Sequence, residues 1–119
     1  LWAFNFFGDN MRRVEKPWGY ELIWAETEGY VGKLLHINAG HRLSKQLHVV
    51  KEETVYVLKG VLYNYDKYDN IQKIMPGEAF HVSPYQIHRF GAAETDVEIM
   101  EVSTPHLDDV VRFEDDYGR

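Results

Sequence analysis

Residues 40–60 read Gly40-His-Arg-Leu-Ser-Lys-Gln-Leu-His48-Val-Val-Lys-Glu-Glu53-Thr-Val-Tyr-Val-Leu-Lys-Gly60. Side chains two apart on a strand share a face. An extended run therefore sets Arg42, Ser44, Gln46 and His48 in one row: a cation, a hydroxyl, an amide oxygen and an imidazole. Glu53 lies five residues beyond His48, an odd offset that an unbroken strand would turn to the opposite face. A turn over residues 49–52 removes the conflict and lets Glu53 open the next strand facing inward. A second stretch, residues 76–90, supplies His88. The expectation is that Gln46, His48, Glu53 and His88 hold one divalent ion inside a small β-barrel. The set is mixed N/O with no thiolate, which suits Zn, Mn, Fe, Co or Ni better than copper(I) or an iron–sulfur cluster. A Gln-x-His pair alone is an ordinary feature of a half-exposed strand; the spacing of the whole set is what carries the reading.

Outward from that stretch, the 119 residues fit one domain, and 45% hydrophobic and 14% aromatic residues suffice for a packed core. With no cysteine there is neither a disulfide framework nor a thiolate site. A formal net charge of −6 argues against a nucleic-acid partner. No apolar run approaches the roughly 20 residues a membrane span needs, and residues 1–7 lack the basic leader of a signal peptide. A cytoplasmic enzyme or binding domain is the default. Residues 1–14 read as an N-terminal arm or an upstream remnant, with Met11 a conceivable start, and residues 15–119 as a single domain.

Strand-like runs follow one another with turns between: residues 20–25, 33–38, 43–48, 53–58, 61–65, 71–74, 79–83, 87–90 and 97–103. The fifth and sixth read as a hairpin, the seventh and eighth as a pair across Pro84-Tyr85-Gln86. Residues 108–113 read as one helical turn. About nine short strands with almost no helical periodicity predict an all-β, antiparallel sandwich or barrel, with the double-sheet jelly roll the best fit.

The spacing Gly40, five residues, Gln46-Leu47-His48, four residues, Glu53, six residues, Gly60 resembles the first motif of the cupin family: Gly, five residues, His-x-His, three or four residues, Glu, six residues, Gly. Gln46 stands where most cupins have the first His. Pro76-Gly77, Pro84 and His88 resemble the second motif. The resemblance implies the cupin double-stranded β-helix, a jelly-roll barrel. Three blocks narrow it: Lys16-Pro17-Trp18-Gly19, residues 40–48, and the tail Asp108-Asp-Val-Val-Arg-Phe-Glu-Asp-Asp-Tyr-Gly-Arg119. Together they resemble the C-terminal cupin domain of type II mannose-6-phosphate isomerases, enzymes fused to a GDP-mannose pyrophosphorylase. The tail is the most specific block, because no fold constraint demands that string. Pyrophosphorylase activity is not expected of this stretch.

That resemblance implies metal-dependent interconversion of mannose 6-phosphate and fructose 6-phosphate through a cis-enediol(ate), with a small-molecule sugar phosphate as partner. Glu101, Lys51 and Arg89 match family positions and are the implied catalytic groups, with a buried partner for Arg42 as the other role open to Glu101. Arg42, on the ligand face, is the first choice for the phosphate, with Ser44 and His81 also facing substrate; a core histidine is the competing role for His81, a solvated turn lysine for Lys51. Strict alternation points Arg89 away from the metal. By analogy a homodimer is expected. Three features depart from the family. Val49-Val50 replace two histidines, Pro84 sits one residue closer to His88, and the asparagine expected shortly after Arg89 is missing. Two other readings compete, a different metal-cupin enzyme such as a dioxygenase, and a non-catalytic carbohydrate- or metal-binding cupin.

Overall fold

The structure, a computed structural model, describes residues 11–119. Eleven antiparallel strands and no helix make up the described residues: β1 (Arg12–Lys16), β2 (Gly19–Glu26), β3 (Val31–Ile37), β4 (Lys45–Leu47), β5 (Glu53–Lys59), β6 (Leu62–Tyr65), β7 (Ile71–Ile74), β8 (Ala79–Val82), β9 (Arg89–Gly91), β10 (Val97–Ser103) and β11 (Val111–Glu114). A six-stranded sheet runs β1-β2-β3-β10-β5-β8. Facing it are β7-β6-β9 and the pair β11-β4, stitched together by isolated bridges at Arg42–Gly91 and Gln46–His88. This is the all-β, antiparallel jelly roll expected from the sequence. No helix among the described residues is long and apolar enough to cross a membrane.

The inner positions of the large sheet explain where the core ends and a cavity begins. Along β3 they are Val31, Lys33, Leu35 and Ile37; along β5, Glu53, Val55 and Val57; along β10, Val97, Ile99, Glu101 and Ser103, all buried. Register places Ile37 beside Val97 and Leu35 beside Ile99, but Lys33 beside Glu101 and Glu53 beside Ser103. One half of the barrel is therefore filled by apolar side chains, joined by Trp18, Leu62, Val82 and Phe90. The other half is lined by charges, which hold it open.

Two differences from the sequence reading have local causes. Residues 79–83 and 87–90 do not pair with each other: β8 joins β5, and β9 joins β6 across the barrel. Residues 108–113 form no helical turn; Val111 and Arg112 extend along β4 instead, where the edge supplies the backbone partners a single turn would lack. β1 also pairs fully with β2, so the sheet begins at Arg12, ahead of the boundary drawn at residue 15. The arm of residues 1–10 lies outside the described residues.

Gly60 closes the motif for a steric reason. Its φ is +78°, and a Cβ there would lie 2.2 Å from the Asp96 carbonyl oxygen. Gly60→Ala is expected to destabilise the domain by about 2 kcal/mol, read as a lower urea midpoint at unchanged m-value.

Candidate metal centre

His48 ends the run that includes β4, Glu53 opens β5, and His88 precedes β9. Gln46 and His88 sit directly opposite, exchanging backbone hydrogen bonds of 3.0 and 2.9 Å, so their side chains share the inner face. The turn over residues 49–52 brings Glu53 round as expected: His48 Nε2 is 3.1 Å and His88 Nε2 3.7 Å from Glu53 Oε1. Ligand atoms of the three side chains lie within 4.8 Å of one another, and all three are buried. Gln46 lines the same cavity; its amide nitrogen donates to Ser44 Oγ at 3.0 Å, leaving its Oε1 uncommitted.

The donor chemistry fits a cation. His48 Nδ1 lies 2.6 Å from the Asp109 carbonyl oxygen, and His88 Nδ1 lies 3.0 Å from that of Gln86. Each imidazole is best served by donating its Nδ1–H to that carbonyl, which fixes the tautomer and turns an Nε2 lone pair inward. Two lone pairs and a carboxylate oxygen then point at one spot, an arrangement that repels itself unless a positive charge sits there. Burial pushes the Glu53 carboxyl up, but with no ion present a hydrogen bond donated by a His48 Nε2–H at 3.1 Å and the Lys51 charge outweigh it and hold it at about 2. Burial lowers His88 to about 4, against the opposing hydrogen bond to Gln86. Both are in the ligand form at neutral pH.

A testable consequence concerns metal-free protein. The unfolded His88 imidazole protonates near 6.5 and the folded one near 4. Between those values only the unfolded chain takes up the proton, so stability falls as the pH drops through that window. The total loss is about 3 kcal/mol. Urea titrations of chelator-treated protein at pH 7 and pH 4.5 should show it, and His88→Gln should lack that component. A parent and a variant with the same pH profile would mean that His88 is not held neutral.

Around the triad runs a row of alternating charges, the partly buried Glu21 and then the buried Lys33, Glu101, Lys51 and Glu53. Lys33 Nζ is 3.3 Å from Glu21 and 3.9 Å from Glu101. Lys51 Nζ is 3.1 Å from Glu101 and 3.8 Å from Glu53. Burial opposes the Lys51 charge, but Glu101 and Glu53 outweigh it and raise its pKa, so it remains an ammonium. Glu101 is pushed up, by burial first and then by the Glu53 charge. Among the described residues its Oε2 has no well-directed hydrogen bond. All five residues line a cavity of about 1010 Å³, together with Gln46, His48 and His88.

Four sequence-predicted residues lie elsewhere. Arg42 does not line the cavity: its Nε and Nη2 donate to Asp116 at 2.7 and 3.0 Å. The cause is a break at Leu43 and Ser44. β4 begins only at Lys45, alternation slips, and Leu43 takes the inner place. Ser44, fully buried, serves Gln46 rather than the cavity. Arg89 points outward as alternation requires, with Nε donating to the Leu43 carbonyl at 2.8 Å and Nη2 to Asp116 at 2.9 Å. His81 is no core histidine; it is half exposed, 2.9 Å from Glu52, on the outer side. Lys51, by contrast, is buried at the centre of the site rather than solvated. Val49 and Val50 are exposed and outside the cavity lining, so the missing histidines leave its walls unchanged.

Sequence reasoning missed Lys33, Glu21 and Asp109. The signal for Lys33 was a charge at an inner position of an apolar strand. The Asp109 carboxylate accepts the backbone N–H groups of Val49, Val50 and Lys51, which hold it at about 2 and fix the turn between His48 and Glu53.

Residues 8–115 match the family model described as mannose-6-phosphate isomerase C-terminal. No curated protein matches the chain. Solved structures do. A cupin-like protein from Thermotoga maritima superposes with TM-score 0.72 at 15% identity, covering 81% of this chain and 76% of that one. KdgF from Halomonas sp. gives 0.71 at 19%, covering 82% and 90%. Pac13, a nucleoside dehydratase, gives 0.73 at 16%, covering 95% and 92%. At these identities the likeness is one of fold.

Proposed function

Since the chain belongs to the mannose-6-phosphate isomerase C-terminal family of cupins, we propose that it is a metal-dependent aldose–ketose isomerase of a sugar phosphate, most simply mannose 6-phosphate to fructose 6-phosphate. The observation that carries this reading is the convergence of His48 Nε2, His88 Nε2 and Glu53 Oε1 beside Glu101, whose carboxyl is buried and raised. His48, Glu53 and His88 would hold the ion, with Gln46 Oε1 as a fourth donor. A divalent ion in that place supplies Lewis acidity toward the sugar carbonyl and hydroxyl.

The protein's own groups provide the rest. Isomerisation moves one proton between C1 and C2 through a cis-enediolate. Glu101 lines the cavity and is shielded from bulk water, so it can take the proton at one carbon and return it at the other. Its raised pKa brings the two transfers closer in energy. Lys51 stays charged and offers N–H donors where negative charge develops on oxygen. Lys33, held by Glu21, keeps Glu101 oriented from the other side. The apolar wall of Leu35, Leu43 and Phe90 excludes water from the sugar face.

The test is a coupled assay for fructose 6-phosphate with protein stripped of metal and reloaded with Mn, Zn, Co or Fe in turn. Activity restored by at least one metal and absent without any supports the reading. Binding of the sugar phosphate with no turnover in any metal form favours a binding cupin instead.

A further inference from the structure

Among the described residues the cavity carries two cations in no ion pair, Lys16 and Arg112, and neither is the arginine the sequence pointed to. We propose that Arg112 is the residue that captures the anionic group of the substrate; this rests on the reading above that the substrate is a sugar phosphate.

Three observations lead there. The first is elimination among the described residues. Arg42 and Arg89 are both bound to Asp116, outside the cavity. Of the cations lining the cavity, Arg12 is 2.7 Å from Glu26 and Arg119 is 2.8 Å from Asp115. Lys33 and Lys51 are locked into the buried charge row, each held between two carboxylates, and turning either toward a distant anion would break two of those pairs. Lys16 and Arg112 remain, both lining the cavity and in no ion pair among the described residues.

The second observation is register. Arg112 on β11 sits directly across from Gln46 on β4, and Gln46 sits directly across from His88. Cross-strand partners share a face, so Arg112 projects to the same side as the two metal-centre residues. Two inter-strand steps put its Cα roughly 10 Å from that of His88. This spacing matches a hexose phosphate whose C1–C2 end lies at the triad and whose phosphate lies under the guanidinium.

The third observation is chemical. A planar guanidinium presents two parallel N–H donors that match two phosphate oxygens, which an ammonium such as Lys16 does not. Arg112 is also exposed at the cavity rim, where it can meet an incoming anion against the repulsion of a chain of net charge −6.

The experiment is isothermal titration of metal-loaded parent, Arg112→Ala, Arg112→Lys and Lys16→Ala with fructose 6-phosphate, fructose and inorganic phosphate. Metal content is measured alongside. The expected result is a loss of at least tenfold in fructose 6-phosphate affinity for Arg112→Ala, partial recovery in Arg112→Lys, no change toward fructose, and one metal per chain throughout. If parent and Arg112→Ala bind fructose 6-phosphate equally, or if Lys16→Ala alone loses affinity, the proposal is overturned while the isomerase reading stands. If the parent binds inorganic phosphate through Arg112 but no hexose phosphate, the anion site stands and the isomerase reading falls. No anion binding to the parent at all overturns both.

Discussion

His88→Ala is expected to lower metal affinity by more than roughly 100-fold and to leave the purified protein with almost no ion, with an unchanged far-ultraviolet spectrum. Losing a group that merely orients a ligand costs 10–100-fold, and removing one of only two imidazole ligands costs more. The fold survives because His88 makes one side-chain hydrogen bond, to the Gln86 carbonyl, and its backbone bonds to Gln46 do not depend on the ring. Metal-free His88→Ala also escapes the price of keeping a neutral imidazole buried below pH 6.5, so in that range it should melt no lower than metal-free parent. Elemental analysis and thermal melts with and without chelator check both halves. A variant that keeps one metal per chain would place the ion elsewhere.

The second large effect is on turnover. Glu101→Gln is expected to reduce kcat for the isomerisation about 10²–10⁴-fold, the usual contribution of a positioned general base. KM should stay within a few-fold and metal content should not change. The amide fills the same volume between Lys33 and Lys51 but cannot accept a proton. Because both lysines lose a counter-charge, the variant should also be less stable, so kcat is compared at a temperature where its spectrum shows it folded. A variant with parental kcat would move the base to another group. A variant that loses metal instead would mark Glu101 as support for Glu53 rather than as the proton shuttle.

How much of this was legible in the sequence depends on the range of the interaction concerned. The triad was readable because each member's placement is a local matter: alternation around His48, a turn before Glu53, and a short run into His88. The jelly roll followed from many short alternating runs with turn residues between them. Lys51 could be named but not placed, since its burial arises from Glu101, fifty positions away on β10.

Arg42 and Arg89 lie outside the cavity for a matching reason. Asp116, 74 residues beyond Arg42, binds both guanidiniums, and nothing near either arginine announces that partner. The one-residue slip at Leu43 and Ser44 exchanged inside for outside, because side-chain direction has a period of two. In the sequence the tail is the most specific block, and its only structural signal is a helical turn over residues 108–113 that does not form. β11 gives it one: Asp109 fixes the ligand turn, Asp116 takes up two arginines, and Arg112 faces the cavity. A strand whose one partner among the described residues is the three-residue β4 has no periodicity long enough to declare itself.

The most direct measurement is proton nuclear magnetic resonance of mannose 6-phosphate incubated in D₂O with protein reloaded with a single divalent metal. The account predicts that fructose 6-phosphate appears, with deuterium at C1 or C2 only to the extent that Glu101 exchanges its proton with solvent before returning it. The signal should vanish on chelation and fall by orders of magnitude with Glu101→Gln. Unchanged mannose 6-phosphate with every metal form, in protein shown to carry one ion per chain, would contradict it.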